Sequence, residues 1–228
     1  MQTLVELDQN ILSFFNGSSS LFVDNLALIL TSGLTWIPLY LSLLYVVIKN
    51  NETMKQIMLI IGCVCLCILL SDGIADFIVK PLVARPRPSN DPLLKYTIDV
   101  VNGLRGTQYS FFSAHASNTF CIAVFFSLLI RKRNFVIAMV AWSLINCWTR
   151  MYLGLHYPSD IFVGLLWGGG VGVFVYFIYI KTYLCMHPDF NYISSQYTST
   201  GYNRIDMDIV LLVLVLTLLY AIVRALVF

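Results

Sequence analysis

The chain has 228 residues, enough for one domain and marginal for two. Apolar residues make up 58% and charged residues 11%, where a soluble domain carries about 25% charged. Those figures exclude a soluble globule and a disordered chain, and a formal net charge of +2 gives no footing for a nucleic-acid partner. What remains is an integral membrane protein.

The first 17 residues lack the basic start of a cleavable signal peptide and carry Glu6 and Asp8. Leu4, Leu7, Ile11, Phe14 and Phe15 recur at helical spacing. This predicts a short amphipathic helix over 1–17 that lies on the membrane surface and ends at Gly17. A span needs about 20 apolar residues. Leu26–Ile48, Gln56–Val79, Ser113–Ile130, Phe135–Tyr152, Pro158–Ile180 and Asp208–Phe228 meet or approach that length. The expected fold is all-α, a polytopic membrane bundle of about six transmembrane helices in a single domain, 1–228. The longest polar stretches are Lys80–Phe112 and Lys181–Met207, and no internal repeat is evident. Cys63, Cys65, Cys67, Cys121, Cys147 and Cys185 form no CxxC or Cys/His metal spacing and read as small apolar residues.

Lys and Arg set orientation. Alternate connections divide the basic residues seven against seven. Three on one side, Lys80, Arg87 and Arg150, belong to the polar clusters below, and without them the division is seven against four. Arg131, Lys132 and Arg133 form the most compact basic turn and predict that their end is cytoplasmic. The acidic N-terminus and the polar clusters are then expected on the outer face.

Charge inside a membrane protein is costly and usually functional. It gathers here in three places: Lys80 to Pro88, Phe112 to His115, and Thr149 to Asp160. The span count puts all three on one membrane face. Lys80, Arg87 and Arg150 with two His and an Asp call for a shared anionic partner, and phosphate fits. Arg forks onto two oxygens and Lys adds a point charge. Ser113 begins a span, where its hydroxyl and the unpaired N–H groups of the helix start face an anion. Pro158 suits the first turn of a helix, which puts His156 just before it and Asp160 inside it. The carboxylate then reaches one imidazole nitrogen and leaves the other for substrate. His115 approaches from a neighbouring span. Two His of opposed roles around a phosphate make an in-line displacement site. Asp76 is four residues before Lys80, on the same helix face, and is expected to hold it.

The three clusters resemble the signature of the type 2 phosphatidic acid phosphatase superfamily. Its first motif, Lys, six residues, Arg-Pro, matches Lys80 to Arg87-Pro88 in full. Its third matches at Arg150, His156 and Asp160, with Thr149 in place of Ser. Its second keeps Ser113 and His115 but has Phe112 and Ala114 in place of Pro and Gly. The resemblance implies that His156 is the nucleophile and forms a phosphohistidine. It implies that Asp160 orients His156, and that His115 protonates the leaving oxygen and then activates water. Lys80, Arg87, Ser113, Ala114 and Arg150 would hold the phosphoryl oxygens, with no metal and no other cofactor. The implied activity is hydrolysis of a lipid phosphate, with lipid A phosphate and undecaprenyl diphosphate ahead of phosphatidylglycerophosphate and phosphatidic acid. A lipid headgroup phosphotransferase is the alternative. The implied place is a bacterial inner membrane, with the site on the periplasmic side. Expected partners are the lipid substrate and membrane lipids, with no nucleic acid and no obligatory protein.

Overall fold

A computed structural model describes residues 2–107, 109–186 and 196–227. The side chain of Leu4, Phe228 and the middle of the polar stretch Lys181–Met207 lie outside the described residues. All regular elements are helical: α1 (Gln2–Phe15), α2 (Leu21–Thr31), α3 (Ile37–Lys49), α4 (Met54–Ile68), α5 (Lys80–Val83), α6 (Ala114–Ile130), α7 (Arg133–Tyr152), α8 (Pro158–Met186) and α9 (Arg204–Val227).

Among the described residues three helical runs are apolar and long enough to cross a membrane: Met54–Asn90, Pro158–Cys185 and Arg204–Val227. The first expected span, Leu26–Ile48, is not one rod. It begins at Leu21 and bends by 68° between α2 and α3. Ser32 and Gly33 loosen the helix, and Pro38 lacks an N–H and crowds the carbonyl four residues back. The break is pinned: Trp36 Nε1 donates to the Leu30 carbonyl at 2.9 Å and Thr35 Oγ1 to that of Ile29 at 2.6 Å. The second span is continuous but not uniformly α-helical. Two π-helical turns, Leu69–Gly73 and Ala75–Val79, join α4 to α5. Pro81 supplies no N–H, and the Lys80 N–H reaches back five residues to the Ala75 carbonyl.

The tightest packing is α6 against α8. Gly164, Gly168 and Gly172 recur every four residues on α8 and admit the α6 backbone. A Cβ placed at Gly168 would sit 2.2 Å from the Ser117 carbonyl oxygen. Trp36, Trp142, Phe125, Phe135, Leu39 and Ile60 are the large side chains of the main core.

The molecule has two distinct polar ends. At one, Asn50 Nδ2 donates to Asp206 at 3.0 Å and Lys132 pairs with Asp208. At the other lie α1, the segment after α5, the start of α6 and the turn between α7 and α8. Asn16 joins these through the carbonyls of Asp99 and Tyr152, at 3.1 and 2.9 Å. A helix occupies the expected 1–17 segment, and Gly17 follows it with φ +67. Leu7, Ile11 and Phe14 point away from the protein, while Asp8 and Leu12 are buried against it.

Candidate active site

The site is built where α6 and α8 begin. Ser113 caps α6, its hydroxyl accepting from the Ala116 N–H at 3.4 Å. The Ser113 N–H donates to the Asp160 carbonyl at 3.1 Å and so fixes the start of one helix to the first turn of the other. Gly154, with φ +62, turns the chain out of α7. His156 follows, and Pro158 opens α8. His156 and Asp160 are both buried.

The His156–Asp160 pairing is looser than a direct hydrogen bond. Nδ1 stands 3.7 Å from Asp160 Oδ2. Ser110 closes the gap: its hydroxyl is 3.5 Å from Nδ1 and donates to Asp160 Oδ2. The same oxygen accepts from the Tyr157 N–H at 3.0 Å. Oδ1 accepts from Arg85 at 2.8 Å. With Nδ1 turned to Ser110 and Asp160, Nε2 is the nitrogen left for substrate. It lies 3.4 Å from the Arg87 guanidinium. Burial pushes the His156 pKa down to about 4; Asp160 pulls the other way, and Arg150 and Arg87 add to the lowering. The ring is therefore neutral at pH 7, the form with a lone pair to offer.

Arg87 and Arg150 lie within electrostatic range of His156, and Lys80 shares a cleft with Arg87. Arg87 also donates to the Leu155 carbonyl at 3.2 Å. Its stem runs against Gly106, where any side chain would collide with it. Lys80 is buried and paired with Asp76, which stands on the next turn of the same span. A cleft of about 520 Å³ opens beside Lys80 and Arg87, with Asn90, Thr107 and Tyr109 on its far wall. Arg150 donates to Thr31 Oγ1 at 2.6 Å, but its Nε is buried with no hydrogen-bond partner among the described residues. A buried guanidinium donor left unpaired is costly, and an oxyanion satisfies it. His115, in the first turn of α6, is exposed and within electrostatic range of Lys80, Arg87, Arg150 and His156. Ala114 is buried at the first position of α6, where its N–H has no carbonyl within the helix. Among the described residues no group of three or more His, Cys, Asp or Glu converges to hold a metal ion.

Four residues of this site were given no role in it by the sequence. Ser110 and Arg85 touch Asp160, Asp8 touches Arg85, and Thr31 touches Arg150. Arg85 stood within the first polar cluster without a role of its own, and Asp8 weighed only against a signal peptide. The available signal was the charge of Asp8 on a helix whose other face is apolar. Ser110 and Thr31 carry no signal, because their roles depend on contacts across 50 and 119 residues.

Residues 60–183 match the PAP2 superfamily. The chain is 38% identical over 180 residues to a lipid A 4'-phosphatase of Bacteroides thetaiotaomicron, covering 78% of this chain and 79% of that one. It is 30% identical over 182 residues to a lipid A 4'-phosphatase of Porphyromonas gingivalis, covering 79% and 76%. The crystal structure of Aquifex aeolicus LpxE shares the fold, with a TM-score of 0.56 and 24% identity over 77% of this chain and 95% of that chain. The chain belongs to the PAP2 superfamily and is a phosphatase of the membrane.

Proposed function

We propose that the whole chain acts as one domain that removes a phosphate from lipid A or a closely similar envelope lipid, through a phosphohistidine on His156. The observation that carries the reading is the buried, unpartnered Nε of Arg150 together with a buried His156 whose Nε2 faces the Arg87 guanidinium at 3.4 Å. His156 Nε2 attacks phosphorus in line with the bond to the lipid oxygen. That bond breaks as His115 delivers a proton to the leaving oxygen. Lys80, Arg87, Arg150, Ser113 and the N–H of Ala114 hold the equatorial oxygens, where charge is greatest in the transition state. Asp160, with Ser110 between, stabilises the positive charge that the imidazole gains. His115, now basic, takes a proton from water. The water attacks phosphorus, the P–N bond breaks, and inorganic phosphate leaves. The cations do what a metal ion would otherwise do, so the reaction proceeds without one.

Two observations support a lipid substrate. An apolar groove of about 520 Å³ runs between α3, α4 and α6, lined by Leu44, Val47, Ile61, Val64 and Phe126. Its upper wall includes Asn118, one turn below His115, so a chain lying there has its headgroup near the site. Both relatives named above are lipid A 4'-phosphatases, which supports lipid A ahead of undecaprenyl diphosphate. The proposed setting is a bacterial inner membrane with the site facing the periplasm. The test is phosphate release from purified lipid A, undecaprenyl diphosphate, phosphatidylglycerophosphate and phosphatidic acid, each in excess EDTA. Lipid A is expected to turn over fastest. Loss of activity in EDTA with rescue by Mg²⁺ would sink the metal-free mechanism.

A further inference from the structure

Asp160 is oriented from outside the helix that carries it. The contacts run from the surface helix inward. On α1, Leu7, Ile11 and Phe14 are 54%, 37% and 82% exposed, while Asp8 is 7% exposed. Asp8 Oδ1 accepts from the Ser159 N–H at 2.8 Å. Asp8 Oδ2 accepts from the Ser159 hydroxyl at 2.6 Å and from Arg85 at 2.7 Å. The other arm of the Arg85 guanidinium donates to Asp160 Oδ1 and to Ser159 Oγ, each at 2.8 Å. The guanidinium lies 3.8 Å from the centre of the Tyr157 ring. One cation is thus held between two carboxylates, one on the interfacial helix and one beside His156.

We propose that Asp8 is a positioning residue, through which the membrane-facing helix α1 sets the orientation and effective charge of Asp160. The proposal rests on His156 and Asp160 being the working pair. The guanidinium is a rigid planar fork, so the arm held by Asp8 fixes the direction of the arm held by Asp160. The two carboxylates also share one positive charge. Without Asp8 the whole charge of Arg85 falls on Asp160, which then does less to stabilise the cation formed on His156. Asp8 touches no reacting atom, so its loss acts on the chemical step and not on substrate binding.

The experiment uses the full chain in phosphatidylethanolamine/phosphatidylglycerol vesicles, with kcat and KM measured on a lipid phosphate per folded protein. Asp8→Asn is expected to lower kcat about tenfold, the lower end of the loss seen when an orienting partner is removed, with KM changed less than about twofold. Arg85→Met should lower kcat further, and the double variant should match Arg85→Met alone. Ser159→Ala removes the hydroxyl that bridges Asp8 and Arg85 but leaves their direct ion pair, and should lower kcat about two- to threefold with KM unchanged, less than Asp8→Asn. Unchanged kcat in Asp8→Asn, or full additivity with Arg85→Met, overturns the proposal. Should Asp8→Asn fail to fold, unchanged kcat in Ser159→Ala overturns it instead. His156→Ala separates the two readings. If that variant is active, the assignment of the working pair fails; if it is inactive while Asp8→Asn is normal, only the positioning role fails.

Discussion

In the proposed mechanism the chemistry turns on His156, whose environment favours a neutral imidazole. Burial and two guanidinium groups disfavour the imidazolium, and Asp160 compensates only in part. The active form is the deprotonated one, and lowering the pKa extends it toward acid. The limb of kcat/KM that belongs to His156 should therefore lie below the ordinary histidine pKa of about 6.5, after correction for ionisation of the substrate phosphate. A limb at or above that value would show that the ring is not desolvated. His156→Ala should abolish turnover and leave the protein inserted, because no other side chain replaces the covalent acceptor. Retention of more than about a hundredth of activity would contradict the assignment. His115→Ala should act most strongly on lipids with a poor, high-pKa leaving group, since protonation matters most there. Lys80 offers a second test. Asp76→Asn keeps the shape and removes the charge, and should cost about tenfold to a hundredfold in activity. Lys80→Ala should cost more, and the double variant should be barely worse than Lys80→Ala, because Asp76 acts only through Lys80.

At the scale of elements, the helices were legible where apolar length decides them, and the errors lie where backbone chemistry intervenes. Pro38 and the Ser32-Gly33 pair break the first span, although hydropathy runs through them without a gap. Pro81 and the π turns alter the second span without disturbing the Asp76–Lys80 pair that helical spacing predicted. The motif residues were legible because phosphate chemistry demands those side chains at short separations. The groups that orient them were not, because they arrive through tertiary contacts. Gly164, Gly168 and Gly172 stood in the sequence at intervals of four and carry a structural role that hydropathy does not report. They set the distance between α6, which Ser113 caps and which carries His115, and α8, which carries Asp160. Gly168→Val should push the helices apart, since even one added carbon meets the Ser117 carbonyl at 2.2 Å. The cost should be about 1–3 kcal/mol or more, as for overpacking in general, read as a fall in Tm. Activity should fall with it, because the Ser113–Asp160 tie joins the displaced ends. Gly170→Val adds the same bulk on the same helix, where a Cβ meets nothing within 4 Å, and should be neutral in both readouts. Equal effects of the two would assign the loss to helix propensity and not to the α6–α8 approach.

The whole molecule is polarised, and the polarity bears on which lipids reach the site. The end that holds the candidate site carries Asp8, Asp24, Asp91 and Asp99, the proposed phosphate ligands Lys80, Arg87 and Arg150, and Arg85, Lys95, Arg105 and Arg224 besides. The opposite end carries Lys49, Lys55, Arg131, Lys132, Arg133 and Arg204, all exposed except the half-buried Lys132. Basic residues near the ends of spans are retained on the cytoplasmic side. On the proposed orientation the site faces outward, and Leu7, Ile11 and Phe14 of α1 are the side chains that would enter the outer leaflet. Thr97 and Asn134 are both exposed and stand at opposite ends, which makes them the residues to tag. In a background lacking all six cysteines, Thr97→Cys should react with an impermeant maleimide added to cells stripped of the outer membrane. Asn134→Cys should react only after the inner membrane is opened. The reverse pattern would put Lys80, His115 and His156 on the cytoplasmic side. Lipids that expose their phosphates only at the periplasmic surface would then be unreachable, and the substrate would have to be a lipid phosphate of the inner leaflet.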